Sequence, residues 1–245
     1  MDIPSYFSVP FIQAVNDWLF DPIPVNAQRL ALLSKELPIE FRERRAHVYR
    51  RIDLPSHHMW ELLAEERLPE KISSWSESDL VARNHGEIRE KYQAVLFRIP
   101  PERGRTIVNI SRLFGPNGFR LACVMLEEQI LDYEFGIGTF ENSEQEVVVE
   151  LDHITPDDIV GFFGPSSDEA ELVYLAGKEL YGRLPTTDEQ KALLTRMRWY
   201  GRRAGYHWLS EDGVLNVRNR MQEAISELKK IKQLQSRAAL GREMP

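Results

Sequence analysis

Glu141-Asn142-Ser143-Glu144-Gln145-Glu146-Val147-Val148-Val149-Glu150 holds two carboxylates one residue apart, followed by a β-branched run. Branching at Cβ suits the pleated surface, so Val147 to Val149 predict a strand. Side chains alternate along a strand, which aims Glu144 and Glu146 at one face. Two acids on one face near a strand start can divide labour, one stabilising developing positive charge and the other accepting a proton. The competing reading is an edge strand with a charged solvent face.

Two earlier stretches bear on that choice. Ala46-His47-Val48-Tyr49-Arg50-Arg51-Ile52 reads as a strand with Val48, Arg50 and Ile52 on one face. A guanidinium between apolar neighbours needs an anionic partner, either a carboxylate of the fold or a bound phosphate or carboxylate gripped by its fork. Lys71-Ile72-Ser73-Ser74-Trp75 reads as a second strand, entering a helix capped by Ser76 or Ser78 with Asp79 in its first turn. The hydroxyls serve as caps, or a serine at the strand end orients a carboxylate on a neighbouring strand.

The remaining segments predict mixed helix and sheet. Phe7 to Phe20 carries Phe11, Ile12, Val15, Trp18 and Leu19 at helical spacing, broken by Pro22 and Pro24. Asn26 is read as the cap of a helix to about Lys35 with Leu30, Leu32 and Leu33 inward, and residues 39–45 as surface. Ser56 caps a helix to about Glu66 whose adjacent His57 and His58 do not share a face. Tyr92 to Ile99 and Arg105 to Ile110 are strands joined by a turn at Pro101-Glu102-Arg103-Gly104. Phe119 to about Leu131 is a helix with Leu121, Val124, Met125 and Ile130 inward, and Tyr133 to Ser143 is a loop. Thr155-Pro156-Asp157-Asp158 starts a turn, and Gly161-Phe162-Phe163-Gly164-Pro165 reads as a boundary. Helices follow over Asp168–Tyr181, from Thr187 or Asp188 to about Arg203, and from Val214 to Leu240. The last carries one apolar stripe at Val217, Met221, Ile225, Leu228, Ile231 and Leu234.

At 245 residues the chain can bury a sizeable core. One cysteine, Cys123, excludes an intramolecular disulfide and a cysteine-based metal cluster, and fits a reducing compartment. Met1 to Ser5 lacks a basic and an apolar region, and no apolar run approaches the ~20 residues of a membrane span, so a cytoplasmic protein is expected. The net charge of −7 argues against general nucleic-acid affinity. From Asp188 to Pro245 there are twelve Lys/Arg against seven Asp/Glu, a local excess that points to an interaction surface or to solvated helix faces.

Taken in order, Val48-Tyr49-Arg50, then Ser74-Trp75-Ser76 followed by Val81-Ala82, then Glu144-Gln145-Glu146-Val147 resemble the Arg-Ser-Glu class of mono-ADP-ribosyltransferases. That family includes bacterial and phage-encoded toxins and vertebrate ectoenzymes. The resemblance covers roughly His47 to Ile154. It implies an α+β fold, a split β-sandwich with flanking helices, here with a helical C-terminal extension. The implied divisions are an N-terminal helical segment over 1–45, a catalytic core over 46–164 and a helical region over 165–245.

The resemblance further implies NAD as co-substrate, no metal, and transfer of ADP-ribose to a protein arginine. Arg50 would bind the NAD phosphates, with Ser74, Trp75 and Ser76 forming the rest of the cofactor site. Ser74 would fix Glu146, and Glu146 would stabilise the oxocarbenium-like cation as nicotinamide leaves. Glu144 would position the acceptor, and Phe140 sits where the family's target-recognition loop often carries an aromatic. Core packing is an equal reading for Phe140 and the stronger one for Trp75. A protein acceptor, or a regulatory or antitoxin-like protein on the C-terminal helices, is the expected partner. NAD glycohydrolysis, transfer to nucleic acid and a non-catalytic α+β binding protein stay open. The enzyme readings require Arg50, Ser74 and Glu146 to converge in one cleft.

Overall fold

A computed structural model describes residues 3–55, 58, 62, 66–86, 92–116, 118–163, 173, 176–178, 180–199, 208–209 and 211–240. The protein is α+β, with the strands of an open, mostly antiparallel sheet interleaved with helices. In chain order the helices are α1 (Val9–Phe20), α2 (Pro24–Leu33), α3 (Asp79–Asn84), α4 (Ile110–Leu113), α5 (Phe119–Leu126), α6 (Thr187–Trp199) and α7 (Glu211–Leu240). The strands are β1 (Val48–Pro55), β2 (Leu68–Pro69), β3 (Ile72–Ser76), β4 (Tyr92–Ile99), β5 (Arg105–Asn109), β6 (Glu146–Glu150), β7 (His153–Ile154) and β8 (Ile159–Phe163). The chain divides into two compact units. One comprises Met1–Arg51, Pro69–Gly86 and Phe97–Ile154; the other comprises Ile52–Leu68, Glu87–Leu96 and Thr155–Pro245. This differs from a division into three successive segments.

In the first unit the strands run in the order β5-β6-β3-β1. The β3–β6 pair is antiparallel, with Ser76 opposite Glu146, Trp75 opposite Val147 and Ser74 opposite Val148. β6 is therefore not an edge strand. Val147, Val148 and Val149 are all fully buried, which is why three β-branched residues in a row are used there. Alternation puts Ser74, Ser76, Glu146 and Val148 on one face. Val148 and Ile72 join a core built from α1, α2 and the aromatic residues Phe7, Phe11, Phe41, Phe114 and Phe119. Phe119 meets Phe7 and Phe114 edge-on at 5.1 and 5.2 Å. Gly104 closes the β4–β5 turn at φ +78°, where a Cβ would lie 2.7 Å from the Glu150 carbonyl oxygen.

Several expectations are corrected. Helix α1 ends at Phe20, ahead of Pro22 and Pro24 as expected, and Pro24 then starts α2 at its first turn, where a missing N–H costs nothing. Asn26 does not cap α2; its amide donates to the Asp17 and Asp21 carbonyls at the end of α1. Leu32 is exposed. Residues 39–45 are not all surface, since Phe41 and Arg44 are buried and the Arg44 guanidinium donates to the Pro100 and Arg103 carbonyls and to Thr106. The α5 helix turns the face opposite to the expected one inward. Phe119, Ala122 and Cys123 are buried while Leu121, Val124 and Met125 are exposed. The helix is apolar on both faces, so periodicity alone does not choose between them.

In the second unit, Ile159–Phe163 forms β8 rather than a boundary. Trp208 bridges Phe163, their rings 5.3 Å apart. On α7, Val214, Val217 and Ile225 are buried and Arg218 pairs with Asp157 at 2.5 Å. Thr186 caps α6, one residue earlier than expected, donating its N–H to Glu189 and accepting from the Glu189 N–H. The expected helix after Ser56 and that over 168–181 lie largely outside the described residues. So do the side chains of Leu228, Ile231 and Leu234 in the expected apolar stripe of the last helix.

Candidate active site

The first unit contains a cleft of about 290 Å³ whose lining includes Tyr49, Arg50, Glu70, Ser74, Ser76, Trp18, His85, Glu144 and Glu146. A second cleft, of about 460 Å³, includes Phe140, Glu141, Ser143 and Gly136 in its lining. Trp18, Ser74, His85, Glu144 and Glu146 line both, so the two clefts meet at the carboxylates.

The strand register explains the convergence. Glu146 opens β6, flanked by Ser76 directly across and Ser74 on the diagonal of the same face. The Ser74 hydroxyl donates to Glu146 Oε1. The Trp18 indole N–H, from α1, donates to the same oxygen at 2.8 Å. Among the described residues no donor reaches Oε2. Glu146 is buried, and burial pushes its carboxyl above the usual carboxylate range. The hydrogen bonds from Ser74 and Trp18 oppose that rise, Glu144 adds to it and His85 opposes it.

Glu144 reaches the clefts by a different route from the one expected. It lies before the strand, and Gln145 between the two acids takes φ +50°. A turn, not strand alternation, brings Glu144 beside Glu146. Ser76 fixes that turn, its hydroxyl donating to the Glu144 carbonyl at 2.7 Å, while the Glu77 N–H donates to the Gln145 carbonyl at 3.0 Å. Ser76 is thus a buried support of the acidic turn as well as a lining residue. Glu144 itself is exposed.

Arg50 lies on β1, half-buried, with Nη1 3.0 Å from Glu70 Oε2. This is the anionic partner that its strand position demanded. The contact is an ion pair without hydrogen-bond alignment, and Nη1 is buried with no hydrogen-bond partner. Phe140 packs against Phe114, the tilted rings 4.7 Å apart, and also lines the second cleft. Trp75 also borders the first cleft, with its indole buried. It lies on the opposite face from Ser74 and Ser76, 2% exposed, with its indole N–H on the Ser73 hydroxyl at 3.0 Å.

Three side chains of the site were not anticipated: Trp18, Glu70 and His85. A signal existed for Trp18, since a buried indole N–H needs an acceptor. That acceptor lies 128 residues away, beyond the reach of local pattern. Among the described residues no group of three or more His, Cys, Asp or Glu is placed to hold a metal ion, and no helix is long and apolar enough to cross a membrane. No protein-family model, curated protein or solved structure matches the chain.

Proposed function

We propose that the chain is an NAD-dependent mono-ADP-ribosyltransferase acting on a protein arginine, on a split β-sandwich of the ADP-ribosyltransferase type. The observation that carries this reading is the meeting of Arg50, Ser74 and Glu146, from the neighbouring strands β1, β3 and β6, in one cleft, with Ser74 bonded to Glu146.

The residues suit a dinucleotide. Arg50 is half-buried in the cleft lining, so part of its guanidinium fork faces the space that an anion would enter. NAD would supply the ADP-ribosyl group, its nicotinamide departing with the electron pair of the broken C–N bond as the acceptor forms a new bond to the ribosyl carbon. Glu146, ionised, offers negative charge where positive charge develops, and the fixed donors on Oε1 hold it there without reorganisation. Oε2 remains available for a substrate hydroxyl. Glu144, exposed at the junction of the clefts, is placed to orient or deprotonate an acceptor.

The acceptor side is acidic. From Leu121 to Gly177 the sequence has no lysine or arginine. Glu127, Glu128, Asp132, Glu134, Glu141 and Glu144 are exposed along the loop that leads to β6. That field favours a cationic acceptor such as a protein arginine and disfavours a nucleic acid.

The test is nicotinamide release from NAD by wild type and Glu146→Gln, with and without lysate as acceptor. Wild-type release should rise with lysate and fall roughly 10²–10³-fold in Glu146→Gln. Release indifferent to lysate would replace transfer by glycohydrolysis. No release and no NAD binding would leave a non-catalytic protein.

A further inference from the structure

We propose that Trp18 is a positioning residue for Glu146. Its indole N–H and the Ser74 hydroxyl clamp Oε1 and turn Oε2 toward the cleft. The catalytic part of this inference rests on the function proposed above; the clamp does not.

The geometry is specific. Trp18 Nε1 lies 2.8 Å from Glu146 Oε1, and both groups are buried. Ser74 donates to the same oxygen from the strand beside β6. Two donors on one carboxylate oxygen fix both the position and the rotation of the group. They come from elements far apart in sequence, α1 and β3, and approach the oxygen separately.

The helix that carries Trp18 is itself tied to the loop leading to Glu146. Gln13 accepts from the Leu131 N–H at 2.7 Å. Asn16 accepts from the Ile137 N–H at 2.8 Å and donates to the Leu131 carbonyl at 3.0 Å. Gly136 permits this approach, since a Cβ there would lie 2.5 Å from the Asn16 carbonyl oxygen. Helix α1 thus contacts both the carboxylate and the loop that leads to it.

Ionisation is the property the clamp controls. The other groups that face Glu146 are Glu144, from the turn before β6, and His85, from the end of α3; Arg50 and Glu70 line the same cleft. Burial favours the neutral acid, and Glu144 works in the same direction. Removing the indole donor takes away one of the two hydrogen bonds that keep the group charged.

The decisive measurement titrates the Glu146 carboxyl directly, by infrared or carbon NMR of the full chain without NAD, with the signal assigned by its loss in Glu146→Gln. In Trp18→Phe the protonation midpoint should rise by about one pH unit. Placing the benzothiophene isostere of tryptophan at position 18 keeps the shape and replaces N–H by sulfur. It should give the same shift with little change in Tm. Trp75→Phe, which removes a buried indole bonded to Ser73, should leave the midpoint in place.

In the nicotinamide-release assay, Trp18→Phe should lower kcat, leave KM for NAD within about twofold, and recover as pH is raised, the pH profile moving by the same interval as the midpoint. An unmoved midpoint in the isostere overturns the clamp. A rate loss that is uniform across pH and tracks Tm reduces Trp18 to a packing residue. A shifted midpoint in a wild type that releases no nicotinamide keeps the clamp and removes the enzymatic reading instead.

Discussion

Under the proposed function, Arg50 would meet a dinucleotide only on terms set by Glu70. The guanidinium is already ion-paired, so an incoming phosphate would share it with a fixed carboxylate that repels it. Neutralising Glu70 removes the repulsion and leaves an amide that still fills the site. Glu70→Gln should therefore lower the KM for NAD about fivefold, the equivalent of ~1 kcal/mol for a partly exposed pair. The gain should shrink as salt is raised. An unchanged or higher KM would mean that Glu70 orients Arg50 instead of competing for it. The contrast between the two residues also shows what a sequence discloses. Arg50, Ser74 and Glu146 stood out because each breaks a local rule: an arginine on an apolar strand face, a run of hydroxyls entering a helix, acids abutting a valine run. Glu70, His85 and Trp18 break none. Their roles exist only through partners, and for Trp18 that partner is 128 residues distant.

At the scale of elements, α1 matters more than its apolar spacing suggests. Gln13 and Asn16 are polar residues buried in a helix, and each is satisfied by the backbone of the loop after α5. Asn16→Leu keeps most of the volume and removes the side-chain partner of two backbone groups, the Asp132 carbonyl and the Ile137 N–H, while the Leu131 carbonyl keeps its bond from Gln13. It should cost about 2–4 kcal/mol by denaturant titration and speed proteolysis within residues 131–140, whereas a surface change such as Gln129→Leu should do neither. Equal protease sensitivity in both variants would show that the loop is held by its own packing, through Phe140 on Phe114. Helix and strand positions were largely legible because their periods differ. Facing was less so. Helix α5 is apolar on both sides, and the bulk of Phe119 among Phe7 and Phe114 decides which side turns inward. The acidic turn was illegible for a related reason: the positive φ at Gln145 interrupts the alternation that a strand reading assumes.

For the molecule as a whole, each compact unit is assembled from segments far apart in the chain, which no contiguous reading of composition can delimit. The same assembly buries Glu146, and its effect on stability can be measured. A carboxyl held above its unfolded-state range binds its proton more tightly in the folded chain. That contribution favours folding below roughly pH 4, the unfolded range of a glutamate, and is lost as pH rises through the higher folded value. Toward neutral pH the wild type therefore carries a carboxyl whose charged form is disfavoured by its burial. Glu146→Gln removes the charge and keeps acceptors for both the Trp18 and Ser74 donors. It should raise Tm by about 2–4 °C at pH 7–8, in line with ~1 kcal/mol for a chain of this size, and leave it near wild type at roughly pH 4. Scanning calorimetry of the two proteins at both pH values decides the point. A gain only at neutral pH would mark Glu146 as a charge kept for function at the expense of stability. A loss at neutral pH would mean that the two donors outweigh burial, so that the folded protein holds the carboxylate below its unfolded range.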